Sequence, residues 1–244
     1  MSNAVQVISF SNLAFAFIPV LVALGILMQW RLPIKNGLYA LSRMLIQLLL
    51  IGYFLSYIFE SHSASIVVIV LLVMVVASSW IALGAVPEQR WKMYKYALLS
   101  VTLGGGFTLF VMSAGVLGLD PWYSPQYMVP LAGMAFANSM NSVSLSAERL
   151  QAEMARGEDY LVARRIALRA SLIPITNALF AVGLVSLPGM MTGQILSGVS
   201  PFIAVRYQIM IMCMLFGSSV ISAAFFLSLI KPVMPTKPVL SIKD

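Results

Sequence analysis

Few side chains in this sequence have the types and spacing that catalysis requires. One histidine, His62, and one cysteine, Cys213, exclude a multi-histidine metal site and a disulfide within one chain. The glycine-rich phosphate loop G-x-x-x-x-G-K-[ST] is absent, as is the zinc motif H-E-x-x-H. We therefore expect that the chain is not an enzyme, binds no cofactor of its own and does not bind ATP through such a loop.

The main candidates lie where a hydrophobic run, residues 181–214, is interrupted by Pro188-Gly189 and then by a bend rich in glycine (Gly193 and Gly198). Proline removes a backbone donor and glycine removes a side chain, so the helix should break here. At membrane depth such a break needs cover from protein or a wet cavity. Two interpretations stay open, a proline-kinked hairpin without a ligand role and a break beside a transport pathway. The second makes candidates of Pro188, Gly189, Met190, Met191 and Gln208.

A second polar cluster interrupts the apolar run 127–145. Asn138 and Ser142 are four residues apart and share a helix face, and Asn141 lies beside them. Polar side chains are costly in lipid and usually face the interior of a helix bundle. The cluster is therefore predicted either to hydrogen-bond between helices or to line a hydrophilic path.

Arg43 and Gln47 form a third polar pair, one helical turn apart and on one face. Arg43 either reaches the membrane interface with its long side chain or serves as a buried partner for the break at Pro188. The pair is thus a structural candidate rather than a ligand site.

The chain also contains sixteen methionines, whose thioethers can bind soft metal ions. Methionine is equally a flexible apolar filler. Met190 and Met191 flank the break and are better metal candidates than Met210, Met212 and Met214. No metal-binding set can be assigned from the sequence.

The composition indicates that membrane-spanning helices position these residues. The sequence is 60% hydrophobic and 9% charged, against about 25% charged residues in soluble domains. Its apolar runs are about 20 residues long, which suits membrane-spanning helices of an all-α integral membrane protein. The seven predicted segments are 10–28, 38–59, 66–85, 97–117, 127–145, 172–195 and 205–230.

Basic residues concentrate in alternate connections between these segments. The first, third and fifth connections and the tail carry Lys and Arg, whereas the second and fourth carry none and the sixth none before Arg206. Basic loops stay in the cytoplasm, which predicts an outside N-terminus and a cytoplasmic C-terminus. The net charge of +7 therefore does not indicate nucleic-acid binding. We expect one transmembrane domain, residues 1–230, and a disordered cytoplasmic tail, residues 231–244.

The fifth connection, residues 147–171, is long and amphipathic. Gly157 is predicted to end one helix, and Glu158 and Asp159 suit the start of the next. Its arginines either contact lipid phosphates at the membrane interface or dock on a cytosolic partner.

The run GLVSLPGMMTGQILSG, followed by P-x-x-A-x-x-Y-Q-I-M, resembles the signature of FetB-type permeases. PLAGM-x-x-x-N around Asn138 and the R-x-x-x-Q pair of Arg43 and Gln47 resemble the same family. These are membrane subunits of a bacterial ABC transporter assigned to iron export, related to plant aluminium-sensitivity membrane proteins. Iron as the cargo follows from the resemblance alone.

The resemblance implies a permease in the bacterial inner membrane. It would pair with a second copy of itself and with a separate cytosolic ATPase, which alone would use ATP. Glu153 and Gly157 match a fragment of the family's ATPase-coupling loop, and Arg164 and Arg165 follow in its second helix. Two alternatives remain, a stand-alone carrier or channel and a membrane partner that transports nothing.

Overall fold

The computed structural model describes residues 8–60 and 63–234, which fold into ten α-helices. The chain divides into two compact units, one of residues 1–61 with 196–198 and one of the remainder. The first unit contains α1 (Phe10–Phe15), α2 (Ile18–Gln29) and α3 (Ile34–Glu60). The second is built from α4 (Ala64–Ala82), α5 (Arg90–Phe110), α6 (Pro125–Ala155), α7 (Tyr160–Ser171), α8 (Ile173–Ala181), α9 (Gly189–Leu196) and α10 (Pro201–Leu229).

Within residues 8–60 and 63–234, five helical stretches are long and apolar enough to cross a membrane, so the chain is a multi-pass membrane protein. They are Ser11–Gln29, Ile34–Glu60, Ala64–Ala85, Pro87–Val116 and Pro201–Leu229. The fifth predicted span lies in α6, whose 31 residues reach about 46 Å at about 1.5 Å per residue. The sixth is divided between α8 and α9. The count of seven spans and the orientation of the ends therefore stay predictions.

Within the first unit, α3 carries the predicted polar pair. Arg43 and Gln47 are both exposed on this helix. Their assignment as structural partners of another helix stays a prediction.

The core of the second unit lies where α5, α6 and α10 pack together. Small residues make this close packing possible. A Cβ atom added to Gly104 would lie 2.6 Å from the backbone nitrogen of Ser222, and one added to Gly105 would lie 2.7 Å from the Phe136 ring. Gly104 and Gly105 therefore allow close helix approach, whereas an added Cβ atom at the adjacent Gly106 would meet nothing within 4 Å.

Arg90 stabilises the turn from α4 to α5. Its Nε and Nη2 atoms both donate to the Trp80 carbonyl, at 3.1 and 2.5 Å. Its guanidinium carbon also lies 3.8 Å from the centroid of the Trp80 ring. Trp91 and Tyr94 pack edge-on against the same ring. Trp80, Trp91 and Tyr94 thus form one aromatic cluster beside Arg90.

The predicted loop 147–171 is mostly helix. Its first part continues α6 as far as Ala155, because nothing in the sequence interrupts the helix before Gly157, which adopts a left-handed φ of 91°. Asp159 then caps α7 by accepting a hydrogen bond from the Leu161 amide at 2.9 Å. The predicted stop at Gly157 is confirmed. Asp159 lies at the start of α7 as its N-cap, but Glu158 precedes the helix, whose first turn holds no acidic residue.

The predicted tail begins with ordered residues. Lys231–Val233 form one 3-10 turn, and Met234 is buried in the core. Residues 235–244, like His62, lie outside the described residues, so disorder of the remaining tail stays a prediction.

Candidate functional site: a neutral cavity beside a broken helix

The sixth hydrophobic segment is not one helix. α8 ends at Ala181 and α9 begins at Gly189, and residues 182–188 form a tight turn. The Ala181 carbonyl accepts hydrogen bonds from the amides of residues 184–186, at 2.8 to 3.2 Å. Gly183 has a left-handed φ of 81°, and its amide donates to the Ser186 carbonyl at 3.0 Å.

The predicted break at Pro188-Gly189 is therefore correct in region and wrong in extent. The helix stops seven residues before Pro188 because Gly183 permits the left-handed turn, and Pro188 then leads into α9. Thr192 fixes this start, since its hydroxyl donates to the Pro188 carbonyl at 3.1 Å. Gly193 lies inside α9 rather than in a bend, whereas Gly198 has the expected turn geometry, with a φ of 89°.

A cavity of about 360 Å³ lies beside this break, within the second unit. Residues from α6, α7, α8, α9 and α10 surround it, together with residues of the turn 182–188 between α8 and α9. We call α8, this turn and α9 the broken segment. The structure brings six of the predicted pathway residues to this cavity: Asn138, Asn141, Pro188, Gly189, Met190 and Gln208. Met191 does not line it.

Two buried oxygen atoms of cavity-lining residues have no hydrogen-bond partner. They are Oε1 of Gln208 and Oγ of Ser219, whose residues are 6% and 1% exposed. Leaving a buried polar group unpaired costs about 1–3 kcal/mol. In contrast, Asn138 already donates from Nδ2 to the Met134 carbonyl of its own helix, at 3.1 Å. Gln208 Oε1 and Ser219 Oγ are thus the polar atoms of cavity-lining residues that would gain most from a hydrogen bond to a bound molecule.

Ser219 was not among the sequence candidates. It follows Gln208 by eleven residues, which is close to three full helical turns and places both on one face of α10. That spacing could have identified it. Ser171 and Ser186 also line the cavity. Ser171 carries no such signal, because its hydroxyl donates to the Leu168 carbonyl of its own helix, as helical serines commonly do.

None of the described residues that line the cavity has an ionisable side chain. Among the residues that the structure describes, no group of three or more His, Cys, Asp or Glu could hold a metal ion. Met134, Met190 and Met212 supply thioethers to the lining, whereas Met210 and Met214 are buried in the core. The donors available are therefore neutral amides, hydroxyls and thioethers.

A second, apolar groove of about 430 Å³ adjoins the cavity. Met191 and Cys213 line it, and it shares Val182, Gln208 and Met212 with the cavity. Cys213 is exposed there rather than packed in the core.

The residues assigned to ATPase coupling lie around the junction of α6 and α7. Glu153 is buried, and Oε1 accepts from Arg149 at 2.6 Å and from Arg156 at 3.1 Å. Gly157 and Arg165 are exposed, and Arg164 is half-buried. Glu153 therefore holds this junction together from inside, while Gly157 and Arg165 are accessible to a partner.

The junction is also fastened to α10. The Tyr160 hydroxyl donates to the Leu227 carbonyl. Burial raises the pKa of Tyr160, and the charge of Arg164 acts in the opposite direction. The neutral phenol is thus the favoured form in the fold.

Comparison with known proteins confirms the family resemblance. The profile of the uncharacterised protein family UPF0014 matches residues 10–234. A UPF0014 membrane protein of Synechocystis is 34% identical, over 80% of this chain and 82% of the relative. The probable iron export permease protein FetB of Escherichia coli is 32% identical, over 86% of each chain. The protein ALUMINUM SENSITIVE 3 of Arabidopsis thaliana is 30% identical, over 86% of this chain and 81% of the relative. No solved structure matches the chain.

Proposed function

The chain belongs to the UPF0014 family of membrane proteins, and we propose that it is the permease subunit of an ABC transporter that exports metal ions across the inner membrane. The cavity where α6, the broken segment and α10 meet carries this proposal, because it gathers the polar residues of otherwise apolar spans. Iron is the proposed cargo because a relative 32% identical is named a probable iron export permease.

The proposed topology has seven spans, with the N-terminus outside and the C-terminus in the cytoplasm. The alternation of basic and non-basic connections supports it. In this arrangement α6 is the fifth span, and α8 with α9 forms a broken sixth span. Discontinuous helices recur at the binding sites of transporters, where the irregular backbone lines a cavity.

The energy source is a separate cytosolic ATPase, and this chain itself hydrolyses nothing. The junction of α6 and α7 is the proposed docking element, because Gly157 and Arg165 are accessible there. The Tyr160–Leu227 hydrogen bond ties α7 to α10, which lines the cavity. Movement of α7 would therefore bias α10 between two states, and transport follows from the different affinities of those states for the cargo.

A second copy of the chain completes the proposed assembly. Phe180, Leu184 and Val185, at the break, are 76%, 89% and 84% exposed. Non-helical backbone at membrane depth requires cover by protein or water. A partner permease against this face would supply that cover.

Flux in proteoliposomes tests the proposal. The chain is reconstituted with and without its candidate ATPase, and the movement of radioactive iron is followed with and without ATP, both as the free ion and with chelators. ATP-dependent flux that needs the ATPase supports the permease assignment. Flux without the ATPase would instead identify a stand-alone carrier, and no flux under any condition would identify a partner that transports nothing.

Coupling is tested at the junction of α6 and α7. Arg165→Glu reverses an exposed charge, and we expect it to weaken ATPase copurification while the permease stays folded. Gly157→Ala strains the left-handed turn and should uncouple ATP hydrolysis from transport. Glu153→Gln removes the anion between two arginines, so it should uncouple by loosening the junction and also lower stability. Normal coupling of ATP hydrolysis to transport in all three variants would show that the junction of α6 and α7 is not the docking site.

A further inference from the structure

We propose that the cavity takes its cargo as a small, uncharged, hydrogen-bond-donating species, so that a metal ion passes only inside a charge-neutral chelate. This inference rests on the proposed function only in treating the cavity as the cargo site. Its argument comes from three properties of the cavity lining, namely charge, hydrogen bonding and size.

The first property is the absence of compensating charge. Among the residues that the structure describes, no Asp, Glu, Lys, Arg or His lines the cavity. The one buried carboxylate among the described residues, Glu153, is outside the lining and is already paired with Arg149 and Arg156. Removing an ion from water into such surroundings costs up to tens of kcal/mol without a counter-charge, and the cost is greater for a divalent ion. The same reasoning disfavours an anionic cargo, because no cation faces the cavity.

Backbone carbonyls could in principle replace the hydration shell of a bare cation, as they do in ion channels. At this break, however, several are already engaged. The Ala181 carbonyl accepts three amide hydrogen bonds, and the Ser186 carbonyl accepts one from Gly183. The Pro188 carbonyl accepts from both the amide and the hydroxyl of Thr192. The Ala181, Ser186 and Pro188 carbonyls thus bond within the turn itself and are not free to act as ligands of a cation.

The second property is a demand for hydrogen-bond donors. Gln208 Oε1 and Ser219 Oγ are buried without partners, about three helical turns apart on α10. Because these oxygens are about 16 Å apart along the helix, a compact cargo can reach only one of them. An N–H or O–H group beside Gln208 would satisfy its amide oxygen, which can only accept a hydrogen bond. A site built this way discriminates strongly against an analogue that lacks the donor, because its own polar groups then stay unpaired.

The third property is size and surface. The cavity volume of about 360 Å³ lies within the range of about 300–1,000 Å³ that is usual for small-molecule sites. Between its polar groups the lining is apolar, with Ile175, Ile211 and Leu215 among others. A compact chelate with an organic exterior matches this surface better than a hydrated ion does.

Direct binding to the purified full-length chain in lipid nanodiscs, without an ATPase, tests this inference. The probe is ferric tris(acetohydroxamate), a neutral complex that carries N–H donors. The matched control ligand is the tris complex of N-methylacetohydroxamate, which is equally neutral but has no N–H group. Aqueous Fe²⁺ under anaerobic conditions, anionic ferric citrate and Ag⁺ complete the series.

We expect the N–H complex to bind at least tenfold more tightly than its N-methyl analogue and than either Fe²⁺ or ferric citrate. Gln208→Leu should abolish the difference between the two hydroxamate complexes. Gln208→Glu should weaken the neutral complex and create binding of Fe²⁺, because it adds the missing counter-charge at nearly constant shape. Cys213→Ala, in the apolar groove, should change none of these affinities.

Three results would overturn the inference: no binding of the N–H complex, equal binding of the two hydroxamates, or wild-type binding of Fe²⁺ or Ag⁺ at least as tight as that of the neutral complex. Tighter Ag⁺ binding would point to the thioethers instead. Should either Gln208 variant fail to fold, the wild-type ligand series decides alone. Chelate binding without ATP-driven flux would contradict the proposed function and leave this inference standing. ATP-driven flux of free Fe²⁺ without chelate binding would contradict this inference and leave the proposed function standing.

Discussion

The hydroxyl groups of Ser139 and Ser222 hydrogen-bond to each other across α6 and α10, with their oxygen atoms 2.9 Å apart. Gly104 of α5 faces the same point, where an added Cβ atom would lie 2.6 Å from the Ser222 nitrogen and 2.9 Å from its Cα atom. Three helices therefore meet through a glycine and two serines. Because lipid offers no hydrophobic drive for helix association, such close packing and polar bonding are what hold the bundle together.

Gly104→Ala should destabilise the protein by about 1–3 kcal/mol, the usual cost of overpacking a core. The added methyl group meets backbone atoms of Ser222, which cannot move without shifting α10. Thermal unfolding of the purified protein in detergent measures the effect. The matched control is Gly106→Ala in the same helix, which has no neighbour within 4 Å and should gain up to about 1 kcal/mol from helix propensity. Equal melting temperatures for the two variants would contradict the close crossing.

The hydrogen bond itself can be measured with a double-mutant cycle. Ser139→Ala and Ser222→Ala together should reveal a coupling energy of about 0.6 kcal/mol, the average for such bonds between membrane helices. Equilibrium unfolding of the four proteins gives this energy. A second cycle pairs Ser139→Ala with Ser228→Ala, because exposed Ser228 bonds only within its own helix at 2.7 Å. Coupling of the same size in both cycles would show that it does not come from the bond between Ser139 and Ser222.

The sequence identified the region of the helix break but not its extent. Because proline disrupts helices, Pro188 predicted a break within seven residues of the observed end of α8 at Ala181. The turn that ends α8 depends on Gly183, which lies in an apolar run whose hydropathy suits a continuous helix. Glycine is common in membrane helices, so its left-handed conformation becomes apparent only in the folded chain.

The cavity was predictable where polarity contrasts with the surroundings. Asn138, Asn141 and Gln208 stand out because amide side chains are costly within apolar spans. Ser219 does not stand out by residue type, since a serine that bonds to its own helix looks the same in the sequence; only its spacing from Gln208 marks it.

Glu153 is a residue whose burial could not be predicted from the sequence. The family resemblance assigned Glu153 to the ATPase-coupling loop, yet its side chain is buried. Which face of a charged helix turns inward depends on the partner helices, and the pattern of charges alone does not fix it.

Arg90→Lys should lower the melting temperature and change tryptophan fluorescence, although it keeps the charge. Lysine cannot reproduce the two hydrogen bonds to the Trp80 carbonyl or the planar stacking on that ring. We expect a loss of about 1–2 kcal/mol, in line with a charge-assisted hydrogen bond. Lys92→Arg, an exposed exchange two residues away, is the control and should change neither quantity. An unchanged melting temperature in Arg90→Lys would mean that the aromatic cluster holds this turn without the guanidinium.

Tyr160 should make the protein sensitive to alkaline pH. Its pKa is raised by burial above the ordinary value of 10.0, so the folded state holds the proton more tightly than the unfolded state does. This contribution to stability is complete below pH 10 and is lost as the pH rises through the folded pKa, because only the unfolded chain releases its proton easily. The deprotonated oxygen would also lose its bond to the Leu227 carbonyl, since it could no longer donate.

Tyr160→Phe separates this effect from general alkaline unfolding. The variant should lose about 1 kcal/mol near neutral pH, the typical value of one hydrogen bond, and its melting temperature should then fall less steeply than that of the wild type above pH 10. Tyr39→Phe, at an exposed tyrosine of α3, is the control for removing any phenol. If the curves of wild type and Tyr160→Phe stay parallel from neutral pH to beyond pH 11, roughly one unit above the ordinary tyrosine value, then the buried phenol does not link α7 to α10. The path proposed from the ATPase to the cavity would in that case have to run through α6.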